Sequence, residues 1–320
     1  MQLLRSIALC ALVLALTACA STPSGPINDT NEGVDGLDQD STIDQIDLED
    51  AQPDELQETE ELNEVDDDNE GDDELDTPDT EDDAPIHCVP NNDGIITRQE
   101  VPIRVGLRAT FRVATDVPVD LVGSTEEGSE RRSWDFTGPY QGDHSVLAEL
   151  RPVSDFWFAD DFPDATYATP LSDSSDLLGV FQLTDDALLL LGVASPEDGF
   201  IYTRLSYSPP VTVLSFPFEL GDTWTTDATF SGILNGGIWT QSEEYTSSVD
   251  AAGSLTTAFG TFEILRVRTD LDRLVGFYST QVRTFGFVAE CFGTVATVSS
   301  EDDPDEIEFT QAAEIRRLSP

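Results

Sequence analysis

Apolar and polar side chains alternate at every position between Val101 and Val113. Valine, isoleucine, leucine, alanine or phenylalanine occupies each odd position, and proline, arginine, glycine or threonine occupies each even one. This period of two is typical of a strand with one buried face. Similar runs follow as far as residue 318, among them 178–183, 187–193, 254–269 and 287–299. Turn-forming residues separate the runs, as at 197–199, 235–237 and 252–253. The pattern predicts an all-β, mainly antiparallel fold, either a sandwich or a strongly curved half-barrel.

A change in composition divides the chain near residue 86. Residues 20–86 hold 27 acidic side chains and no basic or aromatic one, whereas residues 87–320 hold all 27 aromatic side chains of the chain. Because like charges repel and little apolar surface is present to offset the entropy of ordering, we predict a disordered acidic linker over 19–86. The 234 residues of 87–320 can bury a large core. We expect residues 87–320 to form one β-rich domain, or two subdomains with a break near 209–216.

The N-terminus has the features of an export signal. One arginine precedes an uncharged apolar run at Ile7–Leu16, which is too short to span a bilayer. The sequence LTAC then ends at Cys19. It resembles the bacterial lipobox, which implies that 1–18 are a lipoprotein signal peptide and that Cys19 becomes diacylated; an ordinary cleaved signal is the alternative. By the same resemblance, Ala20 after the cysteine implies an anchor in the outer membrane.

The charged residues exclude two classes of partner. The chain has 64 acidic and 15 basic residues, and every basic one is arginine. Binding to nucleic acid needs clustered cations that neutralise phosphates, so a nucleic-acid partner is excluded. Attachment to anionic lipid by charge is excluded for the same reason. We therefore expect the membrane to be contacted through the lipid on Cys19.

Two cysteines remain for the folded domain, since Cys10 lies in the signal and Cys19 carries the lipid. In an oxidising compartment Cys88 and Cys291 would form a disulfide. The bond would pin the start of the domain to a late strand. The alternative is a pair of free thiols at a metal or nucleophile site.

An Asn-rich segment near the start of the domain partly matches a calcium-binding loop. We place Gly94 at the sixth position of such a loop. The third, fifth and twelfth positions are then Asn91, Asp93 and Glu100. Val89 stands at the first position, where a carboxylate is needed. Two interpretations stay open: an Asx-rich turn that leads into the first strand, or a weak Ca²⁺ site on these three side chains. No other cofactor is expected.

Three arginines share one face of the first predicted strand: Arg104, Arg108 and Arg112. Residues four apart in a strand are about 13 Å apart, so these side chains do not form one anion pocket. Two interpretations remain. The arginines form a row that meets an anionic ligand or a partner surface, or they pair with acidic side chains on neighbouring strands.

Three phrases occur in order along the domain: WDF at 134–136, FPFELGDTW at 216–224 and GTFEILRV at 260–267. Together they resemble a loosely defined family of secreted or lipid-anchored β-domains from Gram-negative bacteria. In that family FPxxxGDxW and GTFxxxLRV open successive strands. The resemblance implies export and a β-fold, and it transfers no catalytic residue.

Catalytic motifs are scarce in this sequence. The only histidines are His87 and His144, and no nucleophile elbow, zinc-protease motif or phosphate loop is present. We therefore expect no enzyme, and we predict a non-enzymatic binding or envelope-structural module that the acidic linker holds off the membrane. Two alternatives stay open. One is a carrier that encloses a lipid or other apolar ligand in a half-barrel cavity, and the other is a hydrolase that uses two carboxylates.

Overall fold

The computed structural model of the chain describes residues 88–320 except 126–127, 172, 174 and 276–277. Cys19, the predicted signal over 1–18 and the predicted linker over 19–86 lie outside the described residues. Within the described residues, no helix is long and apolar enough to cross a membrane. Three short 3-10 turns span Arg98–Glu100, Val153–Asp155 and Ala159–Asp161.

The strands are β1 (Ile95–Ile96), β2 (Arg108–Pro118), β3 (Ser124–Thr125), β4 (Arg132–Asp135), β5 (His144–Glu149), β6 (Tyr167–Pro170), β7 (Leu178–Leu183), β8 (Ala187–Ala194), β9 (Arg204–Ser215), β10 (Phe218–Glu219), β11 (Thr223–Leu234), β12 (Gly237–Thr256), β13 (Thr261–Val275), β14 (Tyr278–Ala289), β15 (Gly293–Ser299) and β16 (Gln311–Ser319).

All strands except the small β1–β10 pair join one 14-stranded sheet. Its main path runs β5-β2-β16-β15-β14-β13-β12-β11-β9-β8-β7-β6, and every pair along it is antiparallel. The two ends of the path meet where Arg151, just after β5, pairs with Ala168 of β6 through two backbone hydrogen bonds of 2.9 Å. The sheet is therefore curled into an almost closed barrel. The predicted all-β, mainly antiparallel fold is confirmed in its curved half-barrel form.

The alternation of side chains along the strands separates the inside of the barrel from its outside. The inner core gathers buried side chains from β6 round to β14, among them Tyr167, Phe181 and Val267. On the outside, the segment around β4 covers β14, where Trp134 and Phe136 both contact the Phe287 ring edge to face. β9 runs without a break through 209–215, so the chain on both sides of that stretch belongs to one sheet.

The first long strand begins later than the alternation predicts. Residues 101–107 are not a strand, and β2 starts only at Arg108. Pro102 has no N–H to donate to a sheet, and Gly106 adopts a positive φ of 83° in a turn that the Leu107 N–H closes onto the Arg104 carbonyl oxygen at 3.2 Å. Arg104 therefore lies before the strand. The prediction of three arginines along one strand is wrong for this residue.

Gly253 lies inside β12 and not in the turn predicted at 252–253. β4 runs parallel to this end of β12, with Arg132 opposite Gly253. A Cβ atom at Gly253 would collide with the carbonyl oxygen of Arg132. The glycine is thus required by the close approach of two backbones, which a single sequence does not distinguish from a turn.

Candidate functional site

The disulfide predicted between Cys88 and Cys291 is present in the structure, so that prediction is confirmed. The two Cα atoms are 5.4 Å apart, across a sequence separation of 203 residues. A backbone hydrogen bond of 2.7 Å from the Cys291 N–H to the Glu100 carbonyl oxygen joins the same two segments. Residues 88–100, which we call the N-terminal arm, are therefore fixed against the turn between β14 and β15.

The N-terminal arm folds as an Asx-rich turn. The Asn91 side-chain oxygen accepts a hydrogen bond from the Asp93 N–H, and the Asp93 carboxylate accepts one from the Ile95 N–H, both at 2.8 Å. The Glu100 carboxylate accepts from the N–H and hydroxyl of Thr97 and from the Asn91 amide. All three predicted calcium ligands thus stabilise the turn. Within the described residues, no group of three His, Cys, Asp or Glu side chains is arranged to hold a metal ion.

The arm forms one wall of a cleft with a volume of about 550 Å³. The facing ends of β12 and β13 form the opposite wall. The floor is apolar, and Ile96 and Leu265 on it are both buried. Leu220, in the turn after β10, stands at the edge and is 51% exposed. This volume and an apolar floor are common properties of sites that bind small molecules.

Charged side chains surround the cleft. Arg131 and Glu263 form an ion pair at one edge. On the arm side, the Glu290 carboxylate accepts hydrogen bonds from the N–H groups of Asn91 and Asn92 at 2.6 and 2.9 Å. A ligand would therefore meet charges of both signs around an apolar floor. Sequence reasoning missed these three charged residues, because only the folded sheet brings positions 131, 263 and 290 together.

The predicted arginine row does not converge on one ligand. Arg108 donates to the Glu149 carboxylate on the neighbouring strand at 2.6 and 2.9 Å, so the interpretation of pairing with acidic neighbours is confirmed for this residue. Arg112 donates to the Ser145 hydroxyl at 3.4 Å. Arg104 is exposed in the turn before β2.

A buried carboxylate lies away from the cleft, inside the barrel. Glu243 of β12 is only 3% exposed, and the Tyr245 hydroxyl donates a hydrogen bond to it at 2.6 Å. Burial raises the pKa of Glu243 to about 7, although the Tyr245 hydroxyl and Arg273, which stands opposite on β13, both act to lower it. Glu243 therefore changes its charge near neutral pH. The sequence gives no signal of this, because Glu243-Glu244 has the appearance of polar surface.

Comparison with known proteins supports no conclusion about the fold or the function of this chain. No protein-family model matches the chain, and no curated protein matches it. A solved structure that aligns with it is described as a candidate lipoprotein from Parabacteroides distasonis ATCC 8503. The two chains are 10% identical, and the alignment covers 68% of this chain and 95% of the other, with a TM-score of 0.30. A likeness at that level supports no conclusion about activity, so the proposals below stand on the site.

Proposed function

We propose that the chain is a lipid-anchored envelope protein whose β-domain is a non-enzymatic binding module, and that the cleft beside the N-terminal arm holds its ligand. The observation that carries this proposal is the form of the cleft: about 550 Å³, with a buried apolar floor and charged edges. Small-molecule sites commonly combine these properties. The disulfide supports the proposal further, because it fixes the wall that the arm supplies.

A ligand that fits this cleft has an apolar body and a polar or charged end. The body would cover Ile96 and Leu265, and the end would lie beside the ion pair of Arg131 and Glu263. A hydrolase would have to use Glu263 and Glu290, the two carboxylates at the cleft. That reading has less support, since Glu263 pairs with an arginine and Glu290 holds two backbone N–H groups of the arm.

The lipid anchor is tested at Cys19. Expressed in a Gram-negative host with labelled palmitate, the unchanged chain should incorporate label and sediment with the outer membrane. A Cys19→Ser chain should incorporate none and should appear in the soluble periplasmic fraction, because the acyl chains supply the membrane affinity. Label in the variant, or an unchanged chain that stays soluble, would contradict the anchor.

The cleft is tested with an uncharged fluorescent probe, N-phenyl-1-naphthylamine, titrated into the full chain carrying Cys19→Ser. Leu220→Asp removes an apolar contact at the edge of the cleft and adds a charge, so the probe should bind about five- to tenfold more weakly. Leu147→Asp is the matched control, because Leu147 is 61% exposed on β5 and does not line the cleft. Its affinity for the probe should equal that of the parent chain.

Three results would count against binding in the cleft. The probe could show no saturable binding, Leu220→Asp could leave the affinity unchanged, or Leu147→Asp could weaken binding to the same extent. Circular dichroism of both variants shows whether each one keeps its β-structure. The affinity of a variant is compared with that of the parent only if their circular dichroism spectra match.

A further inference from the structure

A group of exposed apolar side chains lies at the end of the barrel where β9 begins and where β11 turns into β12. Its members are Phe200, Ile201, Ile238 and Trp239, which we call the apolar tip. Phe200 is 99% exposed and Ile238 is 89% exposed. Large apolar side chains on a protein surface usually stand singly, so a group of four indicates a surface that contacts an apolar partner.

Hydrogen bonds join the two loops that carry the apolar tip. The Gly236 N–H donates to the Tyr202 carbonyl oxygen at 3.0 Å, and the Asn235 N–H donates to the Thr203 hydroxyl at 3.2 Å. The Tyr202 ring also contacts the Trp157 ring edge to face, with centroids 5.1 Å apart. The four apolar side chains therefore belong to one preformed surface and not to two independent loops.

The apolar tip and the disulfide lie at opposite ends of the barrel. Ile238 is at the start of β12, and Ala252 near the other end of that strand pairs with Leu265 of β13. Leu265 in turn pairs with Val288, shortly before Cys291. At 3.2–3.4 Å per residue, about 45 Å of strand separates Ile238 from Ala252. The tip is therefore remote from the cleft and from the point where the N-terminal chain enters the domain.

The charges near the apolar tip disfavour two kinds of partner. Glu197 and Asp198 are exposed in the same loop as Phe200, and Arg204 after that loop is paired with Asp161 at 2.8 Å. The chain as a whole has a net charge of −49. An anionic surface is repelled by these charges, and so is a second copy of the chain. An uncharged apolar partner meets no such repulsion.

We propose that the apolar tip inserts into the surface of a bilayer with electrically neutral headgroups, namely the membrane that carries the anchor at Cys19. Protruding tryptophan and phenylalanine side chains are favoured at the boundary between headgroups and acyl chains, and a bilayer accepts them without a preformed pocket. For the nearby membrane, this inference rests on the proposed lipid anchor.

The length of the chain ahead of the domain allows this contact. Between Cys19 and Cys88 the chain can extend on the order of 200 Å, several times the length of β12. Either end of the domain can therefore reach the membrane. Because the anchor confines the domain close to the bilayer, a weak affinity of the tip is sufficient for contact.

The test uses the full chain carrying Cys19→Ser, so that no acyl chain contributes to binding. It is mixed with phosphatidylcholine vesicles at millimolar lipid, and the bound fraction is measured by sedimentation. Phe200→Ser should bind about tenfold more weakly than the parent, because the largest exposed apolar contact of the tip is lost. Phe259→Ser is the matched control, since Phe259 is a half-exposed phenylalanine at the opposite end of the barrel. It should bind like the parent.

Trp239 reports whether the tip enters the bilayer. Bromine atoms on the acyl chains quench a tryptophan that contacts them, so vesicles of brominated phosphatidylcholine should lower the fluorescence of the parent. Trp239→Phe keeps an aromatic side chain in the tip and should still sediment with the vesicles, but it should lose most of the quenching. Adding anionic phosphatidylglycerol to the vesicles should weaken the binding of the parent, because the chain is acidic.

The proposal is overturned if the parent does not sediment with the vesicles, if Phe200→Ser and Phe259→Ser weaken binding equally, or if Trp239→Phe keeps the full quenching. A tip that contacts a protein or a second copy gives the first of these results. Sedimentation velocity without vesicles identifies a second copy, because Phe200→Ser would then reduce self-association. Labelling at Cys19 tests the anchor separately, so a failure of the anchor and a failure of the tip are distinguishable.

Discussion

Glu243 carries a carboxylate into the interior of the barrel, where Tyr245 donates to it and Arg273 stands opposite. Its pKa is about 7 in the folded chain, compared with 4.5 for an ordinary glutamate in the unfolded chain. Because the folded pKa is the higher one, folding favours the protonated form. The contribution of Glu243 to stability is therefore greatest below pH 4.5 and is lost as the pH rises towards and through 7, by roughly 3 kcal/mol in total.

Glu243→Gln should remove this pH dependence, because the amide keeps an oxygen for the Tyr245 hydroxyl and never ionises. We expect the free energy of unfolding of the variant, relative to the parent, to rise by roughly 3 kcal/mol between pH 4.5 and pH 8. Urea unfolding of both chains across that range measures the difference. Glu244→Gln is the control, since Glu244 is exposed on the same strand. A difference in the free energy of unfolding that stays constant with pH would contradict the raised pKa of Glu243.

Among the strands, the pairing of β4 with β12 depends on the absence of a side chain at Gly253. Gly253→Ala should destabilise the fold by about 1–3 kcal/mol, because β4 has to move away from the added methyl group. Gly260→Ala is a matched control, since an added Cβ there meets no atom within 4 Å. Thermal unfolding of the two variants measures the effect. Equal decreases in stability in the two variants would contradict the conclusion that the close approach of β4 to β12 requires glycine at 253.

Several strands were predictable from apolar runs that end at turn residues. β7 spans Leu178–Leu183 as predicted, and β8 begins at Ala187, also as predicted. The runs predicted at 254–269 and 287–299 each cross a turn. In the second run, β14 and β15 are buried on both faces and lose a clear period of two. Barrel closure and the charged edges of the cleft depend on sheet register, which no local pattern of residues encodes.

For the whole molecule, the disulfide closes a loop of 203 residues around nearly the entire described domain. The chain-entropy model assigns such a loop about 4–5 kcal/mol of stability. A variant with Cys88→Ser and Cys291→Ser should therefore unfold at lower urea concentration. Its free energy of unfolding should fall by up to about 4–5 kcal/mol. Reductant should lower the midpoint of the parent and leave that of the variant unchanged. Alkylation of either cysteine in the folded parent without reductant would contradict the bond.

The same bond decides where a mechanical load enters the domain. A pull on the chain ahead of Cys88 reaches Cys291 through the sulfurs, and from there it passes into β14 and β15 in the middle of the sheet. Residues 89–100 lie beyond that junction and carry almost none of the force. The arm that forms one wall of the cleft therefore lies outside the main path of the load. Tension along the N-terminal chain meets the proposed site at Glu290, which lies between Cys291 and the end of β14.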